Sequence, residues 1–133
     1  MADPEPAARI LVVDDYDDAR EMYAEMLSFA GFVVGTARDG AEAIDMATTM
    51  DFDLIVLDIA LPKVHGITVI RTLRARHETR TTPIITLSAS VGPGVHKTVI
   101  EAGGNLALDK PCLPDELEAA VRKYLPRTVR GAG

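Results

Sequence analysis

Four short apolar runs in this chain lead directly, or within one residue, to residues that can do chemistry. Asp14 and Asp15 follow Ile10 to Val13, Asp58 follows Leu54 to Leu57, Ser88 follows Ile84 to Leu87, and Lys110-Pro111 closes the stretch that begins at Leu106 to Leu108. If these run ends converge, three carboxylates about 4 Å apart repel by roughly 4 kcal/mol per pair at an effective dielectric near 20, so a cation has to compensate. Mg²⁺ is the ion such a set favours, because it takes hard oxygen ligands, keeps several waters and binds through one or two carboxylates plus phosphate oxygens. With no histidine or cysteine nearby, the set suits zinc poorly.

Convergence depends on the elements that carry these residues. The apolar runs at Ile10 to Val13, Phe32 to Val34, Leu54 to Leu57, Ile84 to Leu87 and, more weakly, Leu106 to Leu108 read as five strands. Between them the periodicity turns helical, most clearly at Ala19, Met22, Tyr23, Met26, Leu27 and Ala30, which follow the i, i+3, i+4, i+7 pattern up to Gly31. A last helix runs through Leu117, Ala120, Val121, Tyr124 and Leu125, with Pro114, Asp115 and Glu116 in its first turn and Pro126 behind it. Further helices are predicted over roughly 40–50, 67–77 and 93–102. Strict strand–helix alternation implies right-handed crossovers and a parallel sheet covered on both faces, an α/β doubly wound five-stranded domain. In such sheets the ligand crevice lies outside the carboxyl ends of the strands, where the acids, serine and lysine stand.

Bulk properties agree with one domain and exclude several others. The 133 residues are 47% hydrophobic and 26% charged, with mean hydropathy +0.11, enough for a single core and too few for two. A formal charge of −6 without a basic run argues against direct binding to nucleic acid or an anionic membrane. The single cysteine, Cys112, cannot form an internal disulfide, and no signal peptide or membrane-length apolar run is visible, so a cytoplasmic location is expected. Residues 1–8 read as a loose leader, 9–125 as the domain and 126–133 as a tail. Nothing after Leu125 is long enough for an output domain, so the chain is expected either to act by docking or to have been cut from a larger protein.

Four motifs together resemble the receiver domain of bacterial two-component response regulators: VVDD at Val12 to Asp15, LDIALPKVHG at Leu57 to Gly66, PIITLSAS at Pro83 to Ser90 and DKP at Asp109 to Pro111. The resemblance spans about Arg9 to Leu125. It implies a flavodoxin-like fold with strand order 2-1-3-4-5. It further implies transfer of a phosphoryl group to Asp58 from the phosphohistidine of a histidine kinase or phosphotransfer protein, followed by docking onto a downstream protein target. Asp14, Asp15, Asp58 and the backbone carbonyl of Ala60 would hold Mg²⁺, and Lys110 and Ser88 would meet the phosphoryl oxygens. Pro111 would follow Lys110 through a cis peptide. A carboxylate nucleophile with a metal and a lysine neutralising the equatorial oxygens is a usual solution for phosphoryl transfer. Such a chain catalyses only its own phosphorylation and dephosphorylation.

The sequence departs from the family in two places. His65 stands where Asp or Asn often precedes the glycine, and reads as a loop residue. Ala107 occupies the position three before the lysine, where receivers commonly carry Tyr or Phe. With no aromatic rotamer to switch, the response is expected in the loop from Ala89 to Pro93 and the start of the next helix, with little change at the sheet edge. Cys112 reads as a packing residue, His77 and His96 as surface helix residues, and Met22, Met26, Met46 and Met50 as core filler.

Three other functions compete. Asp15-Tyr16-Asp17 imitates the paired aspartates of haloacid dehalogenase-type phosphatases, but Ala19 stands where that pattern wants a hydroxyl and no acid pair follows Lys110. A receiver-like interaction module that takes no phosphate would typically have lost an acid, the phosphoacceptor or the lysine, and all are present. Nucleotide binding lacks its glycine-rich loop.

Overall fold

The computed structural model describes residues 7–61, 64–89 and 93–126. The leader up to residue 6, the tail from 127, Pro62 and Lys63 of the LPK segment, and Ser90, Val91 and Gly92 of the loop after the fourth strand lie outside the described residues. Strand and helix alternate throughout: β1 (Arg9–Val13), α1 (Asp17–Phe29), β2 (Val33–Ala37), α2 (Gly40–Thr49), β3 (Leu54–Asp58), α3 (Gly66–Arg74), β4 (Ile84–Ser88), α4 (Pro93–Ala102), β5 (Leu106–Asp109) and α5 (Pro114–Tyr124). All pairings are parallel, in the order β2-β1-β3-β4-β5.

Side-chain alternation along the strands builds two cores. Leu11, Val13, Ile55, Leu57 and Ile84 pack with Ala43, Ala47, Val69, Ile70, Leu73 and Val99, so α2, α3 and α4 cover one face. Ile10, Val12, Leu54, Val56, Ile85 and Leu87 pack with Tyr23, Leu27, Leu117 and Val121, so α1 and α5 cover the other. Buried on both faces, β3 and β4 have no exposed position, which is why they read as nearly continuous apolar runs, with Thr86 the polar exception in β4. Each fully buried Leu or Ile contributes about 1.5–3 kcal/mol relative to exposure.

Several expectations change. β2 continues to Ala37 through Gly35 and Thr36, which lack an apolar signature; the ladder with Leu11, Val12 and Val13 extends it, and Gly35 lies under the Phe52 ring. Ala8, expected in the leader, is buried, and its carbonyl accepts from the Val33 amide at 3.0 Å. Met22 and Met50 are exposed rather than core, because Tyr23 and Leu27 already fill the buried stripe of α1 and Met50 lies past the last turn of α2. Met26 and Met46 are half-buried against the two cores. α3 stops at Arg74, so His77 sits in an exposed turn beyond it.

Arg74, the last residue of α3, anchors that end of the helix to the segments beyond it. Its guanidinium donates to the carbonyls of Gly103 (2.9 Å) and Thr79 (3.0 Å) and to Asn105 Oδ1 (3.0 Å), and the Asn105 oxygen also accepts from the Ile84 amide. Gly103 has φ +114, and a Cβ there would lie 2.7 Å from Arg74 Cγ, so only glycine suits the contact. Truncating Arg74 to alanine removes three charge-assisted hydrogen bonds and is expected to destabilise the domain by about 2–3 kcal/mol, read from the urea midpoint. Lysine should not restore it, because one ammonium cannot copy the planar fork. A loss below about 0.5 kcal/mol, the size of an ordinary surface substitution, would contradict this role.

Among the described residues, no helix is long and apolar enough to cross a membrane.

Candidate functional site

The strand order reverses direction between β1 and β3, and the crevice of a doubly wound sheet opens at that point. Asp14 and Asp15 leave β1 there, and Asp58 is the last residue of β3. One oxygen from each of the three carboxylates lies within 4.8 Å of the others; Asp14 and Asp58 are buried, while Asp15 is exposed. Lys110, one residue past β5, reaches across with Nζ 3.0 Å from Asp14 Oδ2 and 3.4 Å from Asp58 Oδ2. Its amide donates to the Ser88 carbonyl at 2.8 Å, and the Lys110–Pro111 peptide is cis.

Local backbone contacts hold the acids in place. The Tyr16 amide donates to Asp14 Oδ1 and the Ala60 amide to Asp58 Oδ1, each at 3.0 Å. α3 begins at Gly66, where a Cβ would lie 2.7 Å from Ile59 Cα, so the helix starts directly against the backbone next to Asp58. His65 is a loop residue, as expected, and caps this helix: its Nδ1 accepts from the Ile67 amide at 3.2 Å. Ser88, buried, ends β4 one step beyond Leu87, the residue paired with Asp58. Ala107 is half-buried in β5 against the core under α2, α3 and α4. Cys112 packs in the opposite core, where burial and then Glu116 push its thiol above the usual range.

Charge in the pocket is unbalanced. Three carboxylates facing one ammonium leave two negative charges uncompensated. Burial raises the Asp58 pKa; the charge of Lys110 and the Ala60 amide pull it back, and Asp14 pushes it up again. For Lys110, burial opposes the charged form, but the hydrogen bond to Asp14 and the charges of Asp58 and Asp14 outweigh it and raise the pKa. The donor set is all oxygen, which fits a hard divalent cation.

Arg20 is a support of the site that apolar spacing did not announce. It donates to the Asp14 carbonyl at 3.0 Å while paired with Asp17 at 2.6 Å, bracing the turn that presents the acids. An Asp and Arg three apart on a helix was the available signal. Tyr23 is buried in α1, and burial raises its phenol pKa against the opposing charge of Lys110.

A doubly wound parallel domain with an acidic pocket at its switch point and a lysine closing it from the fifth strand defines a narrow class. Residues 10–122 match the family described as response regulator receiver domain. The chain is 38% identical over 122 residues to response regulator MprA of Mycobacterium bovis, covering 92% of this chain and 52% of that protein. It therefore spans about half the length of the curated relatives it matches. Among solved structures it resembles chemotaxis protein CheY4 of Vibrio cholerae, with TM-score 0.86, 31% identity and coverage of 90% of this chain and 100% of that one. It also resembles the receiver domain of a sensor histidine kinase from Pseudomonas aeruginosa, solved with a magnesium ion coordinated in its active-site cleft, with TM-score 0.83, 30% identity and coverage of 90% and 98%. The chain belongs to the response regulator receiver domain family.

Proposed function

We propose that this domain is a Mg²⁺-dependent phosphorylation switch of a two-component system, in which Asp58 takes a phosphoryl group from the phosphohistidine of a histidine kinase or phosphotransfer protein. The observation that carries the reading is the placement of Lys110 Nζ between Asp14 and Asp58 in a pocket where three carboxylate oxygens lie within 4.8 Å of one another. Asp14, Asp15, Asp58 and the Ala60 carbonyl would hold the metal. When bound, Mg²⁺ supplies positive charge that the pocket lacks and that a transferring phosphoryl group needs.

The residues themselves divide the remaining work. A carboxylate oxygen of Asp58 attacks phosphorus, the P–N bond to the donor histidine breaks, and its electron pair returns to the imidazole nitrogen, which takes up a proton. The Ala60 amide fixes the Asp58 carboxylate for this approach. Lys110 meets a phosphoryl oxygen with its ammonium, and Ser88 donates its hydroxyl to another. The phosphorylated domain then docks onto a protein target, without direct contact to nucleic acid or membrane. A cytoplasmic setting accords with the lone buried thiol of Cys112.

Turnover separates this function from its competitors. Incubation with acetyl phosphate and Mg²⁺ should yield one hydroxylamine-labile phosphoryl group per phosphorylated chain, with no sustained hydrolysis of a phosphomonoester. Continuous phosphomonoester turnover would assign the site to a phosphatase, and complete absence of an adduct to a docking module without phosphate.

Metal binding has its own readout. Mg²⁺ binds only when β1 and β3 are assembled, so at one hundred times its dissociation constant it should stabilise the domain by about 2.7 kcal/mol. A thermal melt with and without Mg²⁺ checks this; an equal shift in wild type and Asp15→Asn would remove the acids from the site.

A further inference from the structure

α4 is held to the rest of the domain at two places of different character. Toward its C-terminal end, Val99 is fully buried and Ala102 nearly so, and the Val99 carbonyl accepts from the Gly104 amide at 2.9 Å. Near its N-terminal end, His96 Nε2 lies 2.9 Å from Asp109 Oδ1; since the carboxylate can only accept, the imidazole donates. Beside this end of the helix, a cavity of about 450 Å³ lies against Gly94, Val95 and Thr98, bounded opposite by Ile59, Ala60, His65, Ile67 and Ser88. The first turns of α4 thus have room to move, a buried pivot behind them and a polar tether ahead.

The tether leads straight to the acidic pocket. Asp109 precedes Lys110, whose amide is bonded to the Ser88 carbonyl and whose ammonium holds Asp14 and Asp58. The ends of β4 and β5 therefore form one hydrogen-bonded unit that carries Ser88, Lys110 and Asp109 together. On the core side, β5 presents Ala107 to the cluster that holds Val99, and its methyl has no rotamer to change. A hydrogen bond between side chains as exposed as His96 and Asp109, at 42% and 45%, adds little stability, so its consequence lies in position.

We propose that the His96–Asp109 hydrogen bond is the link through which the occupied Asp58 pocket sets the position of α4. This rests on the reading of Asp58 as phosphoacceptor. A phosphoryl group on Asp58 recruits Lys110 and Ser88, the joined ends of β4 and β5 shift with them, and Asp109 draws the first turn of α4 about Val99 into or away from the cavity. The exposed face of α4, which carries Ile100, moves as a consequence.

The test compares amide chemical shifts of the full chain with Mg²⁺ alone and with Mg²⁺ plus beryllofluoride as the phosphate mimic. In wild type, residues around Asp58 and residues of α4 should both respond. In His96→Ala and Asp109→Ala the response around Asp58 should persist while the α4 response shrinks about threefold, the scale of coupling that single residues carry. The double variant should be no worse than either single one, and His96→Gln, which keeps a donor at similar reach, should recover most of the α4 response. Full α4 responses in His96→Ala alongside intact responses around Asp58 would overturn the link alone. No response around Asp58 in wild type would overturn the phosphoacceptor reading, and the link with it.

Discussion

Asp58→Asn is expected to abolish phosphorylation altogether and, in the absence of Mg²⁺, to melt at a higher temperature than wild type. The first effect follows from losing the nucleophile while retaining the shape and one oxygen for the Ala60 amide. The second follows from electrostatics: burial holds the Asp58 pKa above its usual value of 3.8, with Asp14 adding to the rise. A folded-state pKa above the unfolded one means that the native domain binds more protons between the two values. Stability therefore falls as pH rises from 3.8 through the folded pKa, and the whole penalty is present above it. Asparagine carries no charge and escapes that penalty, and each kcal/mol recovered raises the midpoint by about 4 °C in a domain of this size. The advantage should vanish below pH 3.8, where the wild-type carboxyl is protonated in both states. Adduct formation at an undiminished rate, or a midpoint at or below wild type at neutral pH without metal, would contradict this.

Lys110→Ala is expected to act in the opposite direction on stability and in the same direction on chemistry. Asp14 is buried, and its Oδ2 loses the ammonium that now sits 3.0 Å away; Asp58 loses the same partner at 3.4 Å. Stranding buried carboxylates costs about 2 kcal/mol, discounted here because the lysine side chain is 22% exposed. The sign agrees with the raised lysine pKa: the stabilisation is fully present below 10.5 and is lost as pH rises through the folded value. Phosphorylation should slow by roughly a hundredfold, the usual consequence of removing one preorganised charge from a developing oxyanion. Saturating Mg²⁺ should restore stability, since it supplies positive charge to the same carboxylates, but not the rate. Urea midpoints and the rate of adduct formation separate the two effects; loss of rate without any loss of stability in the metal-free domain would mean that Lys110 is not paired with these acids in solution.

What could be read from the sequence divides along physical lines. β1, β3 and β4 were legible because burial on both faces leaves mainly apolar residues between their ends, Thr86 apart, and the placement of Asp14, Asp15, Asp58, Ser88 and Lys110 then followed from topology. β2 was read three residues short, since Gly35 and Thr36 join the ladder through pairing to β1 and packing under Phe52, neither of which is local. The end of α3 was placed three residues late: beyond Arg74 the Arg76 amide and the Thr79 hydroxyl both turn back to the Leu73 carbonyl, a closure that apolar spacing does not mark. Helical spacing also overstated the core at Met22, because periodicity marks a face without giving its width. His96 gave no sequence sign of its partner, which lies thirteen residues on in another element.

In the function proposed for this domain, Asp58 accepts a phosphoryl group with the help of Mg²⁺. Peptide-level mass mapping of wild-type protein treated with acetyl phosphate, with Mg²⁺ and with excess chelator, tests it most directly. The expected result is a single hydroxylamine-labile phosphoryl group on the peptide carrying Asp58, present with Mg²⁺ and absent with chelator. A phosphoryl group on any other residue, an adduct of equal yield in chelator, or none with Mg²⁺ would contradict it.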